Sequence, residues 1–174
     1  PRRVLDDKPI VRFGLGYAPN DGQALYQFLR DKGYNQQELD ASGLFKRSPS
    51  GRIYCLFWKR VMTPIFDLRG NIIAFGGRVL DDSKPKYVNS PETLVYHKSE
   101  TVFAMQIAKR SASRRFVLCE GYMDVISMQQ AGIDTAVCAC GTALTPGQVR
   151  IISEYADEVI LSYDSDEAGQ KATL

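Results

Sequence analysis

The sequence predicts two folded parts, a mixed α+β amino-terminal subdomain and a Rossmann-like α/β subdomain with a parallel sheet. Residues 53–80 predict the first part, because β-branched and aromatic residues alternate there with turn signals. A change of pattern at Phe116 predicts the second, because short apolar runs then alternate with helical segments. The segment SASRR at 111–115 is the best linker candidate, so we place the subdomains at 1–112 and 113–174.

The elements of the amino-terminal subdomain follow from cap and turn residues. Asp21 or Asn20 is a suitable cap for the first helix, and Gly33 is a suitable end. The predicted order is a helix at 21–33, a short helix at 36–43, two or three antiparallel strands within 53–80 with a hairpin at 67–71, a loop, and a helix around 100–110.

In the second part, strand and helix patterns alternate. Pro146 suits the first turn of a helix, since it lacks only an N–H that would be unpaired there. The alternation predicts a parallel sheet with right-handed crossovers. Predicted strands are 116–119, 134–140 and 158–163, and predicted helices lie near 123–131 and 146–155. The chain stops just after a further helix start, so we expect this subdomain to be truncated at its carboxyl end.

Composition indicates an ordinary cytoplasmic protein. Apolar residues make up 44% of the 174 residues and charged residues 24%. No apolar run approaches the ~20 residues that a membrane span needs, and no secretory signal opens the chain. The sequence begins without Met, and we interpret it as a fragment of a longer chain, monomeric and with no membrane partner. The four cysteines form no CxxC pair and there is one histidine, which argues against a structural zinc site here and favours buried free thiols.

The charge is distributed unevenly along the chain. Residues 1–112 carry 18 basic and 11 acidic side chains, a net charge of +7, whereas residues 113–174 carry 4 and 9, a net charge of −5. A basic half beside an acidic half suits a polymer of phosphates that lies near a metal cluster. The alternative is that surface charge simply drifts along the chain.

Acidic side chains end two of the predicted strands. Glu120 follows the first apolar run, and Asp164 and Asp166 follow the last. Side chains two apart on an extended segment point the same way, and function gathers at the carboxyl ends of strands in open α/β sheets. Three carboxylates without a nearby lysine or arginine require a cation, and oxygen ligands suit Mg²⁺ or Mn²⁺. Such a site is typical of phosphoryl or nucleotidyl transfer.

Three further residues of this half have two interpretations each. Asp124 either interacts with the dipole of the helix that it begins or adds a metal ligand. Gly141 and Thr142 either cradle a phosphate at a helix amino terminus or cap that helix, and we favour the cap.

The amino-terminal half carries a candidate nucleic-acid surface. Two glycines within AFGGRV (74–79) suggest a bulge or a close approach, and Arg78 projects from the same segment. Lys86, Tyr87 and Asn89 follow in the loop. Basic and aromatic residues together fit phosphate contacts and base stacking, although an ordinary polar loop explains the loop residues equally well.

Together these segments resemble the catalytic core of bacterial replicative primases of the DnaG type. The segments that carry the resemblance are RFGLGYAP (12–19), RVMTPIFDLRGNIIAFGGRVL (60–80), PKYVNSPET (85–93), HKSE (97–100), EGYMDVISMQQAGI (120–133), GTALT (141–145) and YDSDEAGQKA (163–172). They cover nearly the whole chain. A glutamate followed by DxD alone would indicate only the Toprim fold that topoisomerases and some nucleases share.

The resemblance implies a DNA-directed RNA polymerase that makes short RNA primers from ribonucleoside triphosphates on single-stranded DNA. It implies that Glu120, Asp164 and Asp166 bind two or more Mg²⁺ or Mn²⁺ ions, with Asp124 close by. The basic face for template and nucleotide would comprise Arg78, Lys86, Tyr87, Asn89 and Lys98. Arg3 matches an arginine of a family RGL motif, which reads RVL here.

The resemblance also implies pieces outside this sequence and shows departures within it. The family has an amino-terminal zinc module, a further acidic motif and a helicase-binding tail, so zinc, the replicative helicase and single-strand-binding protein are expected only through absent regions. We therefore expect weak or no priming by this piece alone. Cys55 replaces an acid, Thr63 an aromatic residue and Ala74 a glycine, and Val102-Phe103-Ala104 replaces LYG.

Two other classes of function remain open from the sequence. A Toprim nuclease or topoisomerase would cleave DNA, although no tyrosine is marked out as a topoisomerase nucleophile. A non-catalytic module would bind single strands through its basic half alone, without any dependence on metal.

Overall fold

The computed structural model describes residues 5–140 and 144–163. The chain forms two compact units, one of residues 1–14, 65–73 and 97–174, the other of residues 15–64 and 74–96. We call them the carboxylate unit and the basic unit. These units are defined by which residues pack together, and they differ from the subdomains predicted from sequence. The predicted subdomain boundary after residue 112 stays a prediction.

The secondary structure is mixed, as predicted. In chain order the elements are α1 (Asp7–Phe13), β1 (Gly16–Ala18), α2 (Ala24–Asp31), α3 (Gln36–Ala41), β2 (Phe45–Arg47), β3 (Ile53–Cys55), β4 (Arg60–Phe66), β5 (Ile72–Arg78), β6 (Tyr87–Asn89), a 3-10 turn (Lys98–Glu100), β7 (Val102–Phe103), α4 (Met105–Ala108), β8 (Arg115–Cys119), α5 (Tyr122–Gln130), β9 (Ala136–Ala139), α6 (Pro146–Ser153) and β10 (Glu158–Ser162). No helix of the described residues is long and apolar enough to cross a membrane.

An antiparallel sheet of order β1-β4-β5-β6 organises the middle of the chain. Strands β4 and β5 form the predicted hairpin, and its turn is built by Asp67. The Asp67 carboxylate accepts hydrogen bonds from the backbone N–H groups of Arg69 and Asn71, both at 2.8 Å. Gly70 has a φ of 94°, which a residue without a side chain adopts freely. The hairpin prediction is therefore confirmed.

Side-chain hydrogen bonds lie at the starts of the two helices of the basic unit. Asp21, a predicted cap, lies two residues before Gln23, the N-cap of α2. Its Oδ1 accepts from the N–H groups of Gln23 and Ala24, so Asp21 stabilises the turn before the helix and is not the N-cap itself. Asn35 and Glu38 form a reciprocal capping box at the start of α3. A two-stranded sheet of β2 and β3 follows these helices.

The carboxylate unit is built on a sheet of order β10-β8-β9-β7. Strand β8 runs parallel to both neighbours, and only β7 runs antiparallel, against β9. Phe116, Leu118 and Val137 belong to the buried core cluster of this sheet. The predicted parallel sheet, and with it the mixed fold class, is confirmed. Strand β10 stands at the end of this strand order, and its apolar residues Val159, Ile160 and Leu161 are 41%, 42% and 45% exposed.

One predicted helix is wrong, and one helix was not predicted. The helix predicted around 100–110 is a 3-10 turn, then strand β7, then the four-residue helix α4, because β7 pairs with β9 and leaves only 105–108 for helix. Ala104 connects β7 to α4 with a φ of 65°, a region that favours the glycine found there in the LYG motif. Helix α1 was not predicted, although Asp6 precedes it and Gly14 ends it at a φ of 63°.

Candidate functional site

Glu120 lies at the carboxyl edge of the parallel sheet. Cys119, the last residue of β8, pairs with Ser162 of β10 on one side and with Cys138 of β9 on the other. Glu120 follows directly and is exposed. Burial, together with nearby groups that include Glu120, raises the pKa of Tyr163, which follows β10. The glutamate thus stands beside the position at which the chain leaves β10 toward Asp164.

Asp124 lies one helical turn beyond Glu120, and its carboxylate helps to begin α5. Its Oδ2 accepts a hydrogen bond from the backbone N–H of Gly121 at 3.2 Å. A Cβ at Gly121 would lie 3.3 Å from the same oxygen, so glycine leaves room for this approach. This hydrogen bond supports the helix-start role of Asp124 and fixes its carboxylate in the turn that also carries Glu120.

Three buried cysteines lie at this edge, Cys119, Cys138 and Cys140. Burial raises the pKa of Cys119 to about 11, with a contribution from Asp124, and raises the pKa of Cys138 well above its usual range. Cys140 is buried as well. With pKa values raised in this way, Cys119 and Cys138 stay protonated at neutral pH in the absence of a metal. The predicted metal ligands are carboxylate oxygens, which fit Mg²⁺ or Mn²⁺.

Several predicted site residues lie outside the described residues, namely Arg3, Gly141, Thr142, Asp164 and Asp166. Within residues 5–140 and 144–163, no three His, Cys, Asp or Glu side chains form a group that could hold a metal ion. Because two of the three predicted ligands are not among those residues, the ligand set stays a prediction.

The basic unit brings Arg78, Tyr87 and Lys86 together. Arg78 on β5 pairs with Tyr87 on β6. The Arg78 guanidinium carbon lies 5.5 Å from the centroid of the Tyr87 ring, and Lys86 Nζ lies 5.9 Å from it. The ring is 48% exposed. Two cations therefore surround an exposed aromatic ring, an arrangement that suits a phosphate backbone with a stacked base.

Asn89 and Lys98 are not members of this cluster. Asn89 lies two residues along β6 and pairs with Gly76, and its buried Oδ1 accepts no hydrogen bond from the described part of the chain. Lys98 begins the 3-10 turn and belongs to the carboxylate unit. The backbone carbonyl of Lys98 accepts from Gln148 Nε2 at 2.8 Å.

Arg60 is a residue that the sequence analysis missed, and it holds the segment that carries Lys86. Its side chain is 5% exposed, and its Nη1 donates to the carbonyl of Pro85 at 2.9 Å and that of Lys86 at 3.4 Å. A Cβ at Gly77 would lie 3.0 Å from Arg60 Cδ, so the second glycine of AFGGRV makes room for this arginine. The sequence signal for this role is weak, because Arg60 is the first residue of β4 and directly follows another basic residue, Lys59.

Replacement of Arg60 by Met is expected to lower the free energy of unfolding by about 1–3 kcal/mol, because two carbonyls lose a charged donor. Binding of single-stranded DNA should weaken as well, since Lys86 and Tyr87 lose their support. Urea unfolding and fluorescence anisotropy measure the two effects. Arg52→Met is the matched control on the same unit, since Arg52 is exposed, and its effect should stay within about 0.5 kcal/mol. Equal stability losses in the two variants would contradict the role of Arg60 in holding the segment that carries Lys86.

The family comparisons divide the chain close to the change of pattern at Phe116. Residues 1–109 match the family model of the DNA primase catalytic core, N-terminal domain. The chain belongs to this primase family. Residues 117–174 match the Toprim-like family. The resemblance predicted from the sequence is therefore confirmed.

Curated relatives and solved structures agree with this assignment. The chain is 46% identical over 173 residues to a DNA primase of Clostridium acetobutylicum and 44% identical over 176 residues to one of Deinococcus radiodurans. Each match covers 99% of this chain but only 29% and 31% of the relatives, so the chain spans about three-tenths of their length.

Two solved structures share the fold. One is the DnaG primase catalytic domain bound to single-stranded DNA, with a TM-score of 0.87, and the other is the Escherichia coli primase catalytic core, with a TM-score of 0.88. Each is 38% identical to this chain, and the match covers 97% of this chain and 55% of the other.

Proposed function

We propose that this chain is part of a DNA primase and contributes to the synthesis of short RNA primers on single-stranded DNA. The observation that carries the proposal is the position of Glu120 at the carboxyl edge of a parallel sheet, in a chain whose two halves match primase-core and Toprim-like families. Single-stranded DNA and ribonucleoside triphosphates are the proposed substrates, and a relative of the same fold has been solved with single-stranded DNA. Helicase, single-strand-binding protein and a cytoplasmic location stay predictions.

The residues proposed to hold divalent cations are Glu120, Asp164 and Asp166, with Asp124 next to them. Two or more Mg²⁺ or Mn²⁺ ions at these oxygens would supply Lewis-acid stabilisation to the primer 3′-hydroxyl and the incoming triphosphate. Glu120 stands on the end of a paired strand, and Asp124 is held by Gly121, so neither carboxylate depends on a long loop for its position. Zinc is predicted only for an amino-terminal module outside these 174 residues.

The basic unit is proposed to bind the template and the nucleotide. Arg78 and Lys86 would contact phosphates, and the exposed ring of Tyr87 offers a face to a base. Lys98, Arg3, Asn89 and the Gly141-Thr142 pair stay candidates for additional contacts.

Ribonucleotide incorporation on single-stranded DNA tests the proposal. The assay uses the full-length protein with Mg²⁺ or Mn²⁺, beside the Asp164→Ala/Asp166→Ala pair variant. Metal-dependent RNA products that the pair variant fails to make would support it. DNA nicking without incorporation would favour a nuclease. A non-catalytic binding module would be favoured by a different result. DNA binding would be sensitive to salt but unchanged by the metal or by the Asp164→Ala/Asp166→Ala substitutions, and no ribonucleotide would be incorporated.

Replacement of Tyr87 by Ala is expected to weaken binding of single-stranded DNA by about 5–150-fold, because stacking on one aromatic ring contributes about 1–3 kcal/mol per base. Tyr87→Phe should retain most of the affinity, since the ring remains. Fluorescence anisotropy with a labelled oligonucleotide measures both. Tyr34→Ala is the control, because Tyr34 is also an exposed tyrosine of the basic unit. If Tyr87→Ala and Tyr34→Ala had the same effect, the ring of Tyr87 would have no special part in binding.

A further inference from the structure

A cleft of about 360 Å³ lies within the carboxylate unit, and none of the candidate site residues that the structure describes lines it. Its lining residues come from α1, the end of β4, α4 and the segment before β9, and they are Arg12, Phe66, Gln106, Ile107, Arg110, Ser111 and Asp134. Its volume falls within the range of small-molecule sites. Asp134 precedes β9, so this wall of the cleft lies at the amino end of the parallel strands, whereas Glu120 lies at their carboxyl end.

The lining of the cleft carries two arginines and one aspartate, so its formal charge is positive. Arg12 and Arg110 are both exposed, and no carboxylate in the described part of the chain forms an ion pair with either. The acid of the lining, Asp134, accepts instead from the hydroxyl of Ser111 at 2.9 Å. Two guanidinium groups on one cleft, neither held in an ion pair within the described residues, suit a phosphate, because each presents several N–H donors in a fixed plane.

A buried acceptor lies in the same lining. The side chain of Gln106 is 8% exposed, and its Oε1 accepts no hydrogen bond from the described residues. A buried amide oxygen without a donor is unfavourable by about 1–3 kcal/mol, so most such groups have a partner. Phe66 and Ile107 add apolar surface beside it. The lining therefore offers positive charge and an apolar wall, and the unused Gln106 acceptor lies just beneath its surface, where a turn of the amide would present it to a ligand.

We propose that this cleft binds an organic phosphate. The phosphoryl group would lie between Arg12 and Arg110, and the organic body would cover Phe66 and Ile107 and donate an N–H or O–H to Gln106. This binding involves none of the residues proposed for primer synthesis and holds whether or not the chain acts in priming.

Isothermal titration calorimetry with guanosine monophosphate as the probe tests the proposal, since this probe has a phosphate, a flat body and several donors. Inorganic phosphate and guanosine are titrated in parallel. We expect guanosine monophosphate to bind at least about tenfold more tightly than either, because each supplies only part of the contacts. Arg12→Ala and Arg110→Ala should each weaken binding of guanosine monophosphate by about tenfold or more. Gln106→Glu should also weaken this binding, because the new carboxylate repels the phosphate.

Arg150→Ala is the matched control, because Arg150 is an exposed arginine of the same unit outside the cleft, and it should leave the affinity unchanged. Exposed arginines can be replaced without loss of the fold, which circular dichroism checks. Three results would each overturn the proposal: no saturable binding of guanosine monophosphate, binding that the Arg12→Ala/Arg110→Ala variant retains, or equal affinity for inorganic phosphate alone.

Discussion

Replacement of Glu120 by Gln is expected to reduce the rate of primer synthesis by about 10²–10³-fold, because removal of one group that stabilises transition-state charge has an effect of this size. The substitution keeps the shape of the side chain at the edge of β8 and removes only its charge. The folded state should persist, since Glu120 is exposed. The measurement is single-turnover ribonucleotide incorporation at saturating template.

The matched control is Glu154→Gln, which removes an exposed glutamate at the end of α6 in the same unit. Its rate should equal that of the unchanged protein. Template binding by the Glu120→Gln variant should also be unaffected, which separates loss of catalysis from loss of DNA. If the rate of the Glu120→Gln variant stayed within a factor of three of the control at every Mg²⁺ concentration, Glu120 would not be a metal ligand.

Replacement of Gln148 by Leu is expected to lower the free energy of unfolding by about 2–4 kcal/mol, because it leaves two carbonyls without their donor. Gln148 is 1% exposed, and its Nε2 donates to the carbonyls of Lys98 and Thr101 at 2.8 and 2.9 Å. These bonds attach the start of α6 to the 3-10 turn. A Cβ at the neighbouring Gly147 would lie 2.6 Å from the backbone oxygen of Ser99, so the two segments pack closely.

Urea unfolding followed by circular dichroism measures this loss. Gln27→Leu is the control, because Gln27 is an exposed glutamine on a helix and its amide bonds only to Asp31. The control should change stability by no more than about 0.5 kcal/mol. A loss below about 1 kcal/mol for Gln148→Leu would show that water replaces the amide at both carbonyls.

The sequence was sufficient for the elements whose signals are local. The alternation after Phe116 predicted β8, α5, β9, α6 and β10 to within about two residues, because strand and helix periods differ and Gly132 and Pro146 mark ends. The turn at Asp67 was predictable for the same reason, since its side-chain hydrogen bonds join residues two and four apart.

Elements that depend on distant contacts were not predictable from one sequence. Strand β7 has two residues and exists because β9 pairs with it, so its sequence looked like the start of a helix. Arg60 acts on carbonyls 25 and 26 residues away, and Gln148 on carbonyls 47 and 50 residues away. At the candidate site, the resemblance indicated Arg78, Lys86 and Tyr87, whereas the residues that position them came only from the structure.

The buried thiols have a consequence for how the protein can be studied. All four cysteines are buried, one in the basic unit and three in the carboxylate unit. A thiol reagent reacts with thiolate and must reach it, so modification has to await a transient opening of the surrounding strands. The rate of alkylation then reports how often the structure around each cysteine opens. Because Cys55 and Cys138 are in different units, peptide mapping of the label can measure the opening rate of each unit separately.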